Sequence, residues 1–389
     1  EFSIFVHRES KLDPEKFAGK VSTANSLSKL EREECGLHLS SMQSEQLPPF
    51  LNSVKENVQD TLEENQYELT QEDGGTFGVE FPDGTVVEHC AILNNIVMKI
   101  QSIDDPRFER WGKAFPETDL IKHHYFRNSY DTDVAVISVS SRKYVSVIFG
   151  GTESRDDYVA DLDFRKCAFG HKGIMKKCAC TWRAKHSVKV HRGFNRALFA
   201  DEFHVKILAA VDDVLARKPD HKLIFSGHSL GAATAMLASV YYAVQNPHVY
   251  IKLINFGSPR VGNKAFAKWV NNIPNLVIWR FVNHNDLVPR LPPLFTGDWC
   301  HTGHLVQMDP GSLPKAYYRH VGDNKLGLKG APKERWNDVP DSEIQKCFKD
   351  HKTASYIDMI AAINKKLTAS TQSIGTVNQN PIPIVSSFE

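Results

Sequence analysis

Lys222-Leu223-Ile224-Phe225-Ser226-Gly227-His228-Ser229-Leu230-Gly231 runs straight into Ala232-Ala233-Thr234-Ala235-Met236-Leu237-Ala238. The first part is a short apolar run of the kind that forms a buried parallel strand. The Ala-rich part, free of Gly and Pro, suits a helix. Between them sits G-x-S-x-G. Strand, glycine-bracketed serine and helix together make this pentapeptide a candidate nucleophile elbow. A serine hydroxyl standing clear of the sheet needs a strained turn, and side chains at Gly227 and Gly231 would collide with the neighbouring strand and helix. The helix beginning at Leu230 adds its N-terminal dipole and an N–H aimed where an oxyanion would form. A chance serine in a βα turn is the bland alternative, and the flanking pattern argues against it.

Working outward, the same alternation of strands and helices recurs. Val134 to Val139 and Tyr144 to Phe149 are β-branched runs joined by Ser140-Ser141-Arg142-Lys143, a hairpin feeding the sheet. Ile251 to Phe256 is a strand ending in Gly257-Ser258-Pro259-Arg260-Val261-Gly262, and Ala265 to Val270 begins a helix. Val277 to Val282 is a further strand. Val86 to Ile103 has helical apolar spacing, and Val190 to Phe194 opens a helix with apolar positions at Leu198, Val205, Leu208, Val211 and Leu215. The class is α/β: a mostly parallel sheet covered by helices on both faces.

Apolar content of 41% and charged content of 24% over 389 residues fit a globular chain with one large domain and an appendage, or two domains. The net charge of +1 is unevenly spread. Residues 1–84 carry 7 Lys+Arg against 17 Asp+Glu, an acidic leader or regulatory segment with a helical patch at Leu47 to Leu62. The body spans 85–367, with a last helix at Ile357 to Leu367, and 368–389 reads as a disordered Ser/Thr/Asn/Pro-rich tail. No apolar run reaches the length of a membrane span, and no N-x-[ST] sequon occurs. The compartment, cytoplasmic or secreted, stays open. No nucleic-acid partner is expected.

An activated serine needs a base, and the base an orienting carboxylate. Asp286 lies four residues past Val282, in a loop locked by Pro289, Pro292 and Pro293, where open α/β sheets carry functional groups. Asp298 and Asp309 lie beyond the prolines with no strand feeding them. In the chain order Ser, acid, His, the base is one of His301, His304, His320 and His351, the last at a loop-to-helix boundary. The glycine pair in Gly150-Gly151-Thr152, after a core strand, lets a ligand approach the backbone, and Thr152 adds a hydroxyl donor.

The order of Phe149-Gly150-Gly151-Thr152, Asp157 to Leu162, Val190 to Phe194, Gly227 to Gly231, Phe256 to Asn263, Asn285 to Pro289 and Asp350-His351 resembles the class 3 lipases, the fungal-type triacylglycerol lipase group of the α/β-hydrolases. The resemblance covers about Tyr130 to Tyr356. It implies an α/β-hydrolase fold and a serine carboxylic-ester hydrolase acting on acyl lipids. By it Ser229 is the nucleophile, Asp286 the acid and His351 the base. Thr152 and the Leu230 N–H form the oxyanion hole, and His301 and His228 are scaffold. The family usually has Arg where Gly150 stands. Its lid corresponds to Ser154 to Arg165, which is polar here, a composition that phospholipases and galactolipases of similar build also tolerate. Acyl transfer from the same acyl-enzyme, or a silent lipase-like binding protein, are the other readings.

Arg165 to Arg192 holds nine Lys+Arg, three His and no acid. It suggests a peripheral contact with a membrane or lipid-droplet surface, or with the acidic leader. Cys167, Cys178 and Cys180 lack the paired C-x₂-C spacing of a structural zinc site, so no metal or other cofactor is expected, and a disulfide or free thiols remain.

Overall fold

A computed structural model describes residues 82–116, 119–151, 165–170, 188–317, 319, 328, 331–332 and 344–373. Two sheets organise these residues. The larger has eight strands: β1 (Leu120–Arg127), β2 (Asp133–Val139), β3 (Tyr144–Phe149), β6 (Lys222–His228), β7 (Ile251–Phe256), β9 (Leu276–Asn283), β11 (His304–Met308) and β12 (Lys315–Tyr317), in the order β1-β2-β3-β6-β7-β9-β11-β12. From β3 to β11 every pairing is parallel, and antiparallel partners close both edges. The smaller sheet runs β10 (Trp299–Cys300), β8 (Gly262–Asn263), β5 (Lys189–His191) and β4 (Lys166–Ala168).

The central strands are apolar throughout because both faces are covered. Neighbouring residues point to opposite layers. Val136, Val147, Phe225 and Leu253 join one apolar core with α3 (Arg192–Phe199), α4 (Phe203–Arg217), α5 (Leu230–Gln245) and α6 (Lys264–Val270). Ile137, Ile148, Ile224 and Ile254 join the other, with α1 (Gly84–Val97), Trp111 of α2 (Glu109–Ala114) and α8 (Thr353–Ser373). A short helix, α7 (Ile344–Asp350), leads into α8. Helix α5 is buried nearly all round, from Leu230 to Tyr242, which explains its run of Ala: it lies close against the strands it covers. Among the described residues, no helix is long and apolar enough to cross a membrane.

Several expectations need correction. The helix expected from Val190 is two helices preceded by a strand. His191 ends β5 and caps α3 by accepting from the Gly193 N–H at 3.2 Å. A break at Ala200–Glu202, with φ of 53° at Asp201 and 55° at Glu202, then separates α3 from α4. The break rotates Val205 off the buried stripe, leaving it 51% exposed. Helix α1 stops at Val97, short of Ile103, and α8 spans Thr353–Ser373, into the segment read as a disordered tail. Strand β11 does feed Asp309, contrary to the sequence reading; its β-branched content is low and its burial comes from β9 beside it. The leader up to Phe81, with its helical patch at Leu47 to Leu62, lies outside the described residues, as does 374–389.

Candidate active site

Strand β6 ends at His228 and α5 starts at Leu230, so Ser229 alone makes the turn, at φ 57° and ψ −123°. L-residues rarely hold such a conformation, and the surroundings must impose it. Two contacts do so. Ser229 N–H donates to the Phe256 carbonyl at 3.0 Å, and its own carbonyl accepts from Ala233 N–H at 3.3 Å. A β-carbon at Gly227 would stand 2.3 Å from Gly231 main-chain atoms, and one at Gly231 would stand 2.3 Å from the Phe149 carbonyl oxygen. Neither position tolerates a side chain without moving backbone. The Leu230 N–H opens the first turn of α5 beside Ser229, at the helix end whose amides lack intrahelical acceptors.

The other two expected side chains meet Ser229 from distant parts of the chain. His351 Nε2 lies 2.8 Å from Ser229 Oγ, and His351 Nδ1 lies 2.9 Å from Asp286 Oδ2. A carboxylate only accepts, so Nδ1 carries the proton and Nε2 is left to accept from the serine hydroxyl. Asp286 is buried, with 1% of its surface exposed, and its oxygens are fully engaged. Oδ1 accepts from Val288 N–H at 2.9 Å, and Oδ2 also takes the Tyr356 hydroxyl at 2.6 Å. Burial and the Asp286 charge push the Tyr356 phenol well above its ordinary range, so it stays a donor. The loop that carries Asp286 is tied to the segment before His351 as well: Asn283 Nδ2 donates to the Asp350 carbonyl at 2.9 Å, and Asp350 Oδ2 accepts from Asn285 N–H at 3.2 Å. Burial raises the Asp350 carboxyl above its usual range.

The remaining candidates lie elsewhere. His301 donates from Nε2 to the Pro289 carbonyl at 2.7 Å. Burial, then Arg280 and Arg260, holds its pKa well below the ordinary histidine value, so it braces the proline loop as a neutral ring. His304 Nδ1 accepts from Arg319 N–H at 2.8 Å, and its ring packs on Trp279. Asp309 faces His284 at 3.3 Å, and Asp298 pairs with Lys166 at 2.6 Å. Thr152, residues 154–164 and His320 lie outside the described residues, as do residues 171–187 of the basic stretch, with Cys178 and Cys180. Cys90, Cys167, Cys300 and Cys347 are free thiols. Among the described residues, no three His, Cys, Asp or Glu side chains group as metal ligands.

Two neighbours escaped the sequence reading. Tyr356, named only as the end of the family resemblance, was given no role, because a tyrosine five residues after a histidine carries no local signal. Gly257, at φ 56°, has room for no β-carbon: one there would sit 2.7 Å from Asp286 Oδ2 and 3.0 Å from the His351 ring. His228, read as packing, lies against His351 with ring centroids 4.6 Å apart and the planes tilted by 32°, and its Nε2 lies 2.7 Å from the His351 carbonyl.

Residues 146–296 match the family described as lipase (class 3). Over that segment the chain is similar to the class 3 lipases. A lipase of Rhizomucor miehei is 31% identical over 177 residues, covering 45% of this chain and 44% of the relative. The secreted mono- and diacylglycerol lipase 1 of Fusarium solani is 38% identical over 128 residues, 33% of this chain and 37% of the relative. The matched part therefore spans less than half the length of these curated relatives. The crystal structure of a lipase from Rhizopus microsporus var. chinensis superposes with a TM-score of 0.50 at 22% identity, covering 70% of this chain and 88% of that one, a likeness of fold. The class 3 lipase segment contains Ser229 and Asp286, whereas His351, Tyr356 and all of α1 lie outside it.

Proposed function

We propose that this protein is a class 3 lipase family member and a serine carboxylic-ester hydrolase acting on acyl lipids, with Ser229 as nucleophile, His351 as general base and Asp286 as its orienting acid. The observation that carries the reading is the hydrogen-bonded line Ser229–His351–Asp286, at 2.8 and 2.9 Å, on a serine held at positive φ. The fungal relatives, a lipase and a mono- and diacylglycerol lipase, support acylglycerols as the first substrates to try.

The chemistry follows from the geometry. Ser229 Oγ attacks the ester carbonyl carbon while its proton passes to His351 Nε2. The resulting imidazolium is stabilised by the buried Asp286 carboxylate, held by its three donors. The carbonyl oxygen becomes an oxyanion facing the Leu230 N–H and, in this proposal, Thr152. Collapse breaks the C–O bond to the leaving alcohol, which takes the proton from His351. Water, deprotonated by the same nitrogen, then releases the fatty acid and restores Ser229. The hydrolase body is assigned to the residues from the start of α1 at Gly84 to the end of α8 at Ser373, with the acidic segment before it as an appended leader and the residues after it as a tail. The basic stretch Arg165 to Arg192 is assigned to contact with an anionic lipid surface.

The test is hydrolysis of tri-, di- and monoacylglycerol, phospholipid, galactolipid and p-nitrophenyl esters by the wild type and by Ser229→Ala. Loss of all activity in Ser229→Ala is expected, with no further loss when Asp286→Asn or His351→Ala is added, because the three act as a unit. Activity surviving in Ser229→Ala would refute the assignment, and release of acyl product only onto an added alcohol would favour acyl transfer.

A further inference from the structure

Helix α1 precedes the family-matched segment, yet its C-terminal end reaches the Gly150–Gly151 turn that lies beside Ser229. The backbone leaving β3 passes through Gly150 and Gly151. A β-carbon at Gly151 would lie 3.1 Å from the His228 carbonyl oxygen, 3.7 Å from Met98 Sδ and 3.9 Å from Ser229 Cβ. One spot is thus bounded by the Met98 side chain on one side and the elbow on another. At Gly150 the fit is closer still. A β-carbon there would stand 3.2 Å from Met98 Cα and 3.3 Å from its nitrogen, with Asp133 Cβ at 3.1 Å. Met98 is the C-cap of α1 and 5% exposed, so its position follows the helix end.

A second set of contacts ties the same two pieces of chain together. The Tyr125 hydroxyl reaches the Ile100 carbonyl at 3.1 Å and Asp133 Oδ1 at 2.5 Å. The Asp133 carbonyl in turn accepts from Gly150 N–H at 2.8 Å. The exit of α1, Met98 to Ile100, therefore holds the Gly150 turn both by packing and through Tyr125 and Asp133. Across the sheet, Phe149 pairs in register with Gly227, so the turn leaves β3 level with the elbow.

We infer that Met98 is a positioning residue: the end of α1 fixes the Gly150–Gly151 main chain against Ser229 and so sets the geometry in which the oxyanion is received. The inference rests on the hydrolase reading. Misplacing such a turn by about 1 Å is sufficient to cost on the order of 10²-fold in rate. Because the contact is made by backbone and a thioether, shape and not charge is what matters, and Leu is an adequate replacement for Met.

The experiment compares Met98→Ala, Met98→Leu and Gly150→Ala with the wild type on a soluble p-nitrophenyl ester, with active-site titration counting competent serines. Alkylboronic acid inhibition reports on the tetrahedral state, and thermal melting on the fold. Expected are a kcat per titrated site lowered about 10- to 100-fold in Met98→Ala and Gly150→Ala, KM within about twofold, boronate Ki raised in step, and recovery in Met98→Leu. Gly150→Ala keeps the test open should Met98→Ala fold poorly, since it pushes the same two surfaces apart. An unchanged kcat per titrated site, even with a lower melting temperature, would overturn the inference, as would a loss confined to KM. A wild type with no Ser229-dependent hydrolysis is a different result, which removes the hydrolase reading itself.

Discussion

The hydroxyl of Tyr356 and the imidazole of His351 share one oxygen of one residue: both address Asp286 Oδ2, at 2.6 and 2.9 Å. The phenol oxygen also accepts from Asn283 N–H at 3.1 Å, which fixes it relative to the end of β9. A hydrogen bond to a charged group contributes about 1.5–3 kcal/mol. Tyr356→Phe should therefore destabilise the fold by that order, read from denaturant unfolding. It should lower kcat by up to about 10-fold, because Asp286 loses one of the donors fixing its plane. Full activity and unchanged stability would show that the Val288 N–H and His351 suffice to hold it.

Gly257 adopts φ 56° directly beneath the same pair. Gly257→Ala meets two costs: the left-handed backbone, about 1 kcal/mol for an L-residue, and a β-carbon 2.7 Å from Asp286 Oδ2. The expected outcome is a kcat reduced about 100-fold by displacement of the Asp–His pair, with a smaller loss of thermal stability. Steady-state kinetics on the folded variant check it.

His228→Phe keeps a ring against His351 and removes the nitrogen that reaches the His351 carbonyl at 2.7 Å. Losing one neutral hydrogen bond of about 0.5–1.5 kcal/mol predicts a two- to tenfold fall in kcat with little change in KM. A change in KM alone would move His228 from bracing the base to shaping the substrate site.

Away from the site, His89 is buried between Trp111 and Phe115, with Nδ1 2.6 Å from the Tyr144 hydroxyl. Burial, helped by Arg142, lowers its pKa from 6.5 to about 4. A depressed histidine is neutral in the fold and protonates first in the unfolded chain. Its contribution to stability is complete above pH 6.5 and is lost as pH falls towards 4, by about 3 kcal/mol in full. His89→Phe should therefore flatten the stability–pH curve in that window by about one proton's slope. An identical slope, measured by denaturant titration at several pH values, would assign the acid sensitivity to other groups.

For the basic stretch, replacing Lys172, Lys176 and Lys177 by Gln should weaken flotation with anionic vesicles by about 1 kcal/mol per charge at low salt, and leave binding to neutral vesicles unchanged. Equal flotation of the variant and the wild type would discard the surface-contact proposal.

The amino-acid sequence alone determined the elbow and the kind of sheet that carries it. Both are local: a strand, a turn and a helix are written in adjacent residues, and Gly227 is demanded by atoms of the same turn, although Gly231 is demanded by the Phe149 carbonyl of the neighbouring strand β3. The motif order also pointed to Asp286 and, through the family resemblance, to His351 as candidates. What the tertiary structure decided is what converges there. His351 reaches Ser229 across 122 positions, Tyr356 reaches Asp286 across 70, and His228 meets the His351 carbonyl across 123. Such contacts leave no periodic trace, because they depend on how parallel strands align in register and on which helix end closes over them. Strands β1, β11 and β12 escaped for a related reason: they are short or edge elements whose pairing comes from a neighbour and not from their own propensity. The role inferred for Met98 belongs with these. It is the packing of α1 against the Gly150 turn that brings Met98, from outside the family segment, next to the backbone beside Ser229, and close packing, unlike secondary structure, is a property of the whole core.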